Sequence, residues 1–221
     1  RSTTGKSPKP GTVNRENTVL RQMLAYAVRQ GWIDKAPEIP HLSESQTRER
    51  RPHFTFAEYQ RLRAASNKRM AEARNTPQLR HTLATRELLN DVVLFLANSG
   101  LRVDEMKSVT WRSVELVEPQ LKGAVQLNSA GKMRSNRRVA LKKAAVKALL
   151  RIRDRRLAWL KANDRPLAIA TSEPVFALPD GTKVNNYKRD FGGLLEAAGI
   201  GASDGEMSHS LTSLRHTYAT F

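Results

Sequence analysis

The sequence predicts a mainly α fold with a small antiparallel β-sheet, an α+β class. Two observations carry this. Apolar residues recur at three- and four-residue steps over Thr12–Gln30, the spacing that gives a helix one buried face, and further stretches over 56–74, 78–98, 142–162, 184–198 and from 211 onward read as helices. Between these stretches stand three short β-prone runs, residues 112–117, 124–128 and 136–141. The segment AGKMRSN reads as the turn of a hairpin joining the last two. The sequence shows no internal repeat and no low-complexity tract.

Taken in order, residues 1–11 (RSTTGKSPKPG) lack periodicity and read as a mobile end. A helix is expected over Thr12–Gln30, where Val19, Leu20, Met23, Leu24, Ala27 and Val28 share a face and Gly31 stops it. One apolar face cannot bury itself, so residues 12–32 are expected to close a helical domain whose earlier part lies outside this chain. Residues 33–54, with three prolines and mixed charge, read as a linker. A second domain, 55–221, opens on T-F-A-E at Thr55. This is a capping box, in which the threonine hydroxyl and Glu58 each satisfy a free backbone donor. Helices are expected over 56–74 and 78–98, the latter stopped by Gly100. A polar helix start follows in SGLRVDEMKSVTW, where Arg102 stands beside Asp104 and Glu105. After the strands come a basic helix over 142–162, an extended PVFAL, and helices over 184–198 and from 211 onward.

Charge narrows the function. Lysine and arginine number 38 against 21 acids, a net +17 with a pI near 10.8, which implies attraction to a polyanion such as DNA or RNA. Hydrophobic residues make up 39%, enough for a core and too many for a disordered basic tail. There is no cysteine, which excludes disulfides and thiolate metal sites. No apolar run approaches the roughly 18 residues of a membrane span, and no amphipathic anchor accompanies the charge. The expectation is an intracellular, cytoplasmic protein with no membrane contact. From Gly131 to Arg165 there are 13 basic residues and two acids. That density favours phosphate contacts over a merely solvated helix, with Arg134, Arg137, Arg138, Arg151, Arg155 and Arg156 as the DNA-binding side chains.

Three ordered motifs then point further. SGLRVDEM, GKMRSNRRVAL and LRHTYAT resemble, in this order, the first arginine box, the lysine hairpin and the second arginine box of the tyrosine recombinases, the phage integrase family. TVNRENTVLRQMLAYAVRQGWI resembles the last helix of that family's core-binding domain, and RRPHFTFAEYQRL the start of its catalytic domain. The resemblance implies a tyrosine recombinase-like catalytic domain in which Arg102, Lys132 and Arg215 are catalytic. A tyrosine would attack a DNA phosphodiester, leaving a 3′-phosphotyrosyl link and a free 5′-hydroxyl. Two guanidiniums suit the charge developing on the phosphate, since each stays protonated and donates paired hydrogen bonds. Lysine suits proton donation to the leaving oxygen, and Glu105 would fix Arg102. No cofactor or metal is implied. The partner would be double-stranded DNA, with a homotetramer on paired sites in the full-length protein and a bacterial or phage origin.

Two departures stand out. Thr212 occupies the place of the histidine in H-x-x-R, and threonine cannot shuttle a proton near neutrality. The family's nucleophilic tyrosine falls past Phe221, so the nucleophile is expected to be absent from residues 1–221, with Tyr26, Tyr59, Tyr187 and Tyr218 structural. His209 reads as a surface histidine, His216 as a packing or helix-bracing one, and Trp32, Trp111 and Trp159 as packing at element ends. Two alternatives remain: a DNA-binding accessory protein or decayed integrase without catalysis, and a type IB topoisomerase.

Overall fold

The structure, a computed structural model, describes residues 8, 10–43, 52–127, 136–201 and 209–220. The chain forms two compact units, 1–50 and 51–221.

In the first unit α1 spans Pro10–Arg29 and begins on its proline, whose missing N–H costs nothing at a first helical position. The following segment is bonded back along it. The Asn14 carboxamide donates to Leu42 O (2.8 Å) and accepts from Leu42 N (2.9 Å), and Arg21 Nη2 donates to Ile39 O (2.8 Å). Val19, Leu20 and Met23 of the expected apolar face remain exposed within this unit. Trp32 corrects the packing expectation: it is 70% exposed and meets only the edge of Tyr26 among described rings, with centroids 5.7 Å apart.

The second unit opens as its capping box dictates. Thr55 Oγ1 accepts from Glu58 N (3.2 Å), and Glu58 Oε2 accepts from Thr55 N (2.8 Å), starting α2, Phe56–Asn75. The helix expected over 78–98 divides into a 3-10 turn, Pro77–Thr82, and α3, Leu83–Ser99. Pro77 forces a new start, and the Thr82 hydroxyl donates to Leu79 O (2.7 Å), a local bond that competes with regular helix. The order continues with α4 (Val103–Ser108), β1 (Val114–Val117), β2 (Lys122–Leu127), β3 (Arg137–Ala140), α5 (Lys143–Ala162), α6 (Lys188–Ala197) and α7 (Leu211–Thr220). The start of α6, four residues later than the periodicity suggests, follows from Asn186, whose Oδ1 accepts the Lys188 N–H at 2.8 Å.

The sheet has order β1-β2-β3, antiparallel throughout, with Val125 opposite both Val114 and Val139. At the heart of the unit lies α3, buried continuously from Leu88 to Ala97. Such an all-round apolar helix must be enclosed, and α2, α5 and α7 pack against it. At its end Gly100 takes a left-handed φ of +66°, where a Cβ would stand 2.6 Å from the Tyr218 ring. Across that ring lies Lys142 Nζ, 4.6 Å from the centroid. At the other side of α7, Thr217 Oγ1 accepts from the backbone N of fully buried Phe54 at 2.9 Å.

One buried charge redirects the reading of α5. Asp91 sits in the apolar run of α3 with no exposure. Arg151 Nε and Nη2 bond its Oδ1 at 2.8 and 2.5 Å, and Arg155 Nη2 bonds Oδ2 at 2.5 Å. Arg156 donates to Glu173 (3.0 Å) and to Pro179 O (3.0 Å) while lying over Trp159. Arg151, Arg155 and Arg156, expected from the sequence as DNA contacts, thus have guanidiniums that fasten α5 to its own neighbours. Drawing the first two to a phosphate would strip a buried carboxylate of its partners. Replacing both Arg151 and Arg155 by alanine should lower unfolding stability by about 3–5 kcal/mol, the cost of an uncompensated buried charge. The salt dependence of duplex binding should stay unchanged. Urea titration and binding isotherms at several salt concentrations check this; a flattened salt slope with intact stability would restore the DNA role.

Candidate functional site

The site grows from the break between α3 and α4. Gly100 reverses the chain, Leu101 is buried as an anchor, and Arg102 follows in extended conformation as the residue before α4. Glu105 reaches back, its Oε2 accepting the Arg102 backbone N–H at 2.8 Å. The same carboxylate receives Arg102 Nη1 on Oε1 at 3.1 Å. From β3, Arg137 Nη2 donates to Oε2 at 2.7 Å. From α7, Arg215 Nη1 stands 3.7 Å from Oε2, within ion-pair range and beyond a hydrogen bond. That nitrogen is buried and has no hydrogen-bond partner.

Three guanidiniums thus surround one carboxylate, and the cluster is net positive. Arg102 is 60% exposed, Arg137 40% and Arg215 31%, against 18% for Glu105. The acid lies at the base and the cations face outward. Burial works to raise the Glu105 carboxyl, but the Arg102 N–H bond and the Arg137 charge together hold it below its ordinary value. Arg215 is pushed down by burial and then by the Arg102 charge, with Glu105 offsetting part of this. A guanidinium stays protonated regardless, so this unfavourable charge is relieved by an anion. A tetrahedral oxyanion such as a phosphate diester fits what the arrangement offers: fixed donors, converging, partly water-excluded.

The other expected residues fall variously. Lys132 and Arg134 lie outside the described residues, between β2 and β3. Thr212 is half-buried in the first turn of α7, one turn before Arg215. His216 is exposed, which corrects the packing expectation; its carbonyl accepts the Thr220 hydroxyl at 3.1 Å. His209 is no free surface group, since Nε2 lies 3.3 Å from His53 O and its ring 4.3 Å from that of Phe54. Arg138 pairs with Glu115 at 2.6 Å on the exposed side of the sheet. Tyr187 is 2% exposed, and burial pushes its phenol up. Tyr218 lies against Gly100, Tyr59 is half-buried against the core, and Tyr26 belongs to the first unit. Arg137 is the member whose place sequence reasoning missed. The available signal was strand alternation, which sends Arg137 and Arg138 to opposite faces.

Among the described residues no group of three His, Cys, Asp or Glu is placed to hold a metal ion, and no helix is long and apolar enough to cross a membrane.

The sequence model of the phage integrase family matches residues 52–221. The chain belongs to that family, the tyrosine recombinases. Among solved structures it is similar to the XerH site-specific recombinase bound to its difH substrate in a pre-cleavage complex, at 16% identity and TM-score 0.61, covering 99% of this chain and 55% of that one. The post-cleavage XerH complex on palindromic difH gives 15% and 0.62, covering 99% and 56%. The Tn1549 transposon integrase with circular intermediate DNA gives 16% and 0.52, covering 99% and 68%. At these identities the likeness shows the fold, and the chain spans about half the length of the XerH protein. No curated protein matches it.

The Glu105 carboxyl carries a pH signature. Its folded-state value lies below the ordinary 4.5, so ionisation favours the folded state. That stability is fully present above about 4.5 and is lost as pH falls through the folded value. Glu105→Gln should remove this component, so its melting temperature should fall less steeply than wild type on acidification below about pH 4.5. Parallel melting curves across that range would refute the assignment.

Proposed function

We propose that this chain is the catalytic part of a site-specific DNA recombinase that cuts and rejoins duplex DNA through a 3′-phosphotyrosyl intermediate without a metal. The observation that carries the reading is the pair Arg102 and Arg215. Drawn from α4 and α7, they converge on one carboxylate, and Arg215 keeps a buried nitrogen with no hydrogen-bond partner. A scissile phosphate would take the exposed part of the Arg215 guanidinium and the open edge of Arg102. As the tyrosine loses its phenolic proton to solvent, its oxygen attacks phosphorus and the bond to the 5′-oxygen breaks, charge builds on the non-bridging oxygens, where two fixed guanidiniums stabilise it. Lys132, matched by resemblance, would give its proton to the leaving oxygen. Thr212 would donate a hydrogen bond to the phosphate and could not act as the base. The structural settings of Tyr59, Tyr187 and Tyr218 favour a nucleophile outside residues 1–221.

XerH with difH and the Tn1549 integrase with circular intermediate DNA are DNA complexes of those proteins, which supports DNA as the partner here; assembly of the full-length protein as a tetramer on paired sites is part of the same proposal. The accessory-protein alternative has no use for an arginine pair assembled around Glu105.

A duplex nicked near the cleavage point tests the reading. Full-length protein should be trapped covalently on it, with chelator present or absent, whereas residues 1–221 alone should bind it and form no adduct. Arg102→Ala should slow trapping about 100- to 1000-fold, the usual loss of one transition-state donor, while leaving the fold intact. Arg102→Lys should restore little, since the two-pronged donor is gone. Normal trapping by the alanine variant, or trapping abolished by chelator, would defeat the proposal. A covalent adduct formed by residues 1–221 would instead locate the nucleophile among their four tyrosines.

A further inference from the structure

We infer that Arg137 is a positioning residue of this centre: by filling Glu105 Oε2 from β3, it prevents the carboxylate from capturing Arg215. The inference rests on the recombinase reading above and adds a constraint that the arginine pair alone does not supply.

The argument is one of lone pairs. A carboxylate oxygen has room for about two good donors. Glu105 Oε2 already holds the Arg102 backbone N–H at 2.8 Å and Arg137 Nη2 at 2.7 Å. Arg215 Nη1 is left at 3.7 Å from that oxygen with no hydrogen bond. An unpartnered buried N–H beside a carboxylate is an unstable arrangement unless the acceptor is saturated, because closing the gap would gain a charge-assisted bond. Arg137 is what saturates it. Removed, it would free one acceptor position on Oε2, and the Arg215 guanidinium would settle onto Glu105. The guanidinium would then be drawn toward Glu105 and away from the place the recombinase reading gives it beside Arg102.

Strand geometry makes this the business of Arg137 alone among its neighbours. Successive residues of β3 face opposite ways. Arg138 turns outward to Glu115 at 2.6 Å, and Arg137 turns toward α4. The cation that looked in the sequence like one more phosphate contact has its terminal nitrogen committed to Glu105. A single N–H to O contact does this work, with no paired fork. Lysine should therefore substitute for Arg137 where it cannot for Arg102.

The test compares Arg137→Ala, Arg137→Lys and Arg137→Ala combined with Glu105→Gln in full-length protein, reading the trapping rate of the bound complex on the nicked duplex separately from its affinity. Arg137→Ala should trap about a hundredfold more slowly, the order of loss for a displaced catalytic group, with affinity changed only a few-fold. Arg137→Lys should recover most of the rate. In the Glu105→Gln background the alanine change should cost little more, since a neutral amide has weak hold on Arg215; multiplying losses would overturn the inference. A loss confined to affinity would make Arg137 a plain DNA contact and overturn it equally. A second arm needs no cleavage. In residues 1–221, the Arg215 Nε–Hε resonance should shift in Arg137→Ala and return in Arg137→Lys. An unmoved resonance in the alanine variant refutes the inference, whereas wild-type protein that never forms an adduct counts against the recombinase reading and leaves this spectral arm to decide.

Discussion

Like charges do not gather on a protein surface unless something of opposite sign holds them, and the Glu105 carboxylate is what allows three guanidiniums to share one place. Each comes from a different element, α4, β3 and α7, so their meeting depends on the packing of the whole second unit. α3 supplies the reference frame. Enclosed on all sides, it ends at a fixed point where Gly100 turns the chain toward Arg102, and the Tyr218 ring lies against that turn one helical turn past Arg215. A contact between a glycine and an aromatic ring thereby sets the spacing between two cations.

The same residue types serve two purposes within this unit, and burial separates them. Asp91 is fully enclosed, and its two arginines are held by an acid that has no other source of compensation. Glu105 keeps some contact with solvent and leaves one guanidinium nitrogen unbonded. The first arrangement is complete in itself and resists change. The second carries more positive charge than its single carboxylate offsets. Counting basic residues along a helix does not tell these apart; asking where each acid lies does.

Much of this was legible in the sequence because it rests on local rules. The Thr55–Glu58 box, the stop at Gly100 and the paired β2 and β3 strands follow from backbone donors, left-handed φ and side-chain alternation within a few residues. Arg102, Glu105 and Arg215 could be named because they sit in recognisable motifs. The partners of Arg137, Arg151 and Arg155 were hidden because they lie 32 to 64 positions away. A hint was present for α5: a single aspartate inside DVVLFLA has to be met by cations, and the nearest unspent ones are on the basic helix. Trp32 misled because an aromatic residue at a helix end packs only if its own unit supplies a surface.

The bond from Phe54 to Thr217 joins positions 163 apart, and it gives α7 a meaning in time. A chain emerging from the ribosome makes Arg102, Glu105 and Arg137 well before it makes α7. Until then the buried amide of Phe54 has no acceptor from Thr217, the ring that presses on Gly100 is missing, and the second member of the arginine pair does not exist. A prematurely terminated copy would carry most of the basic residues and would still be unable to assemble the three-guanidinium cluster. The cluster therefore arrives late in synthesis, after its carboxylate and two of its cations are already made.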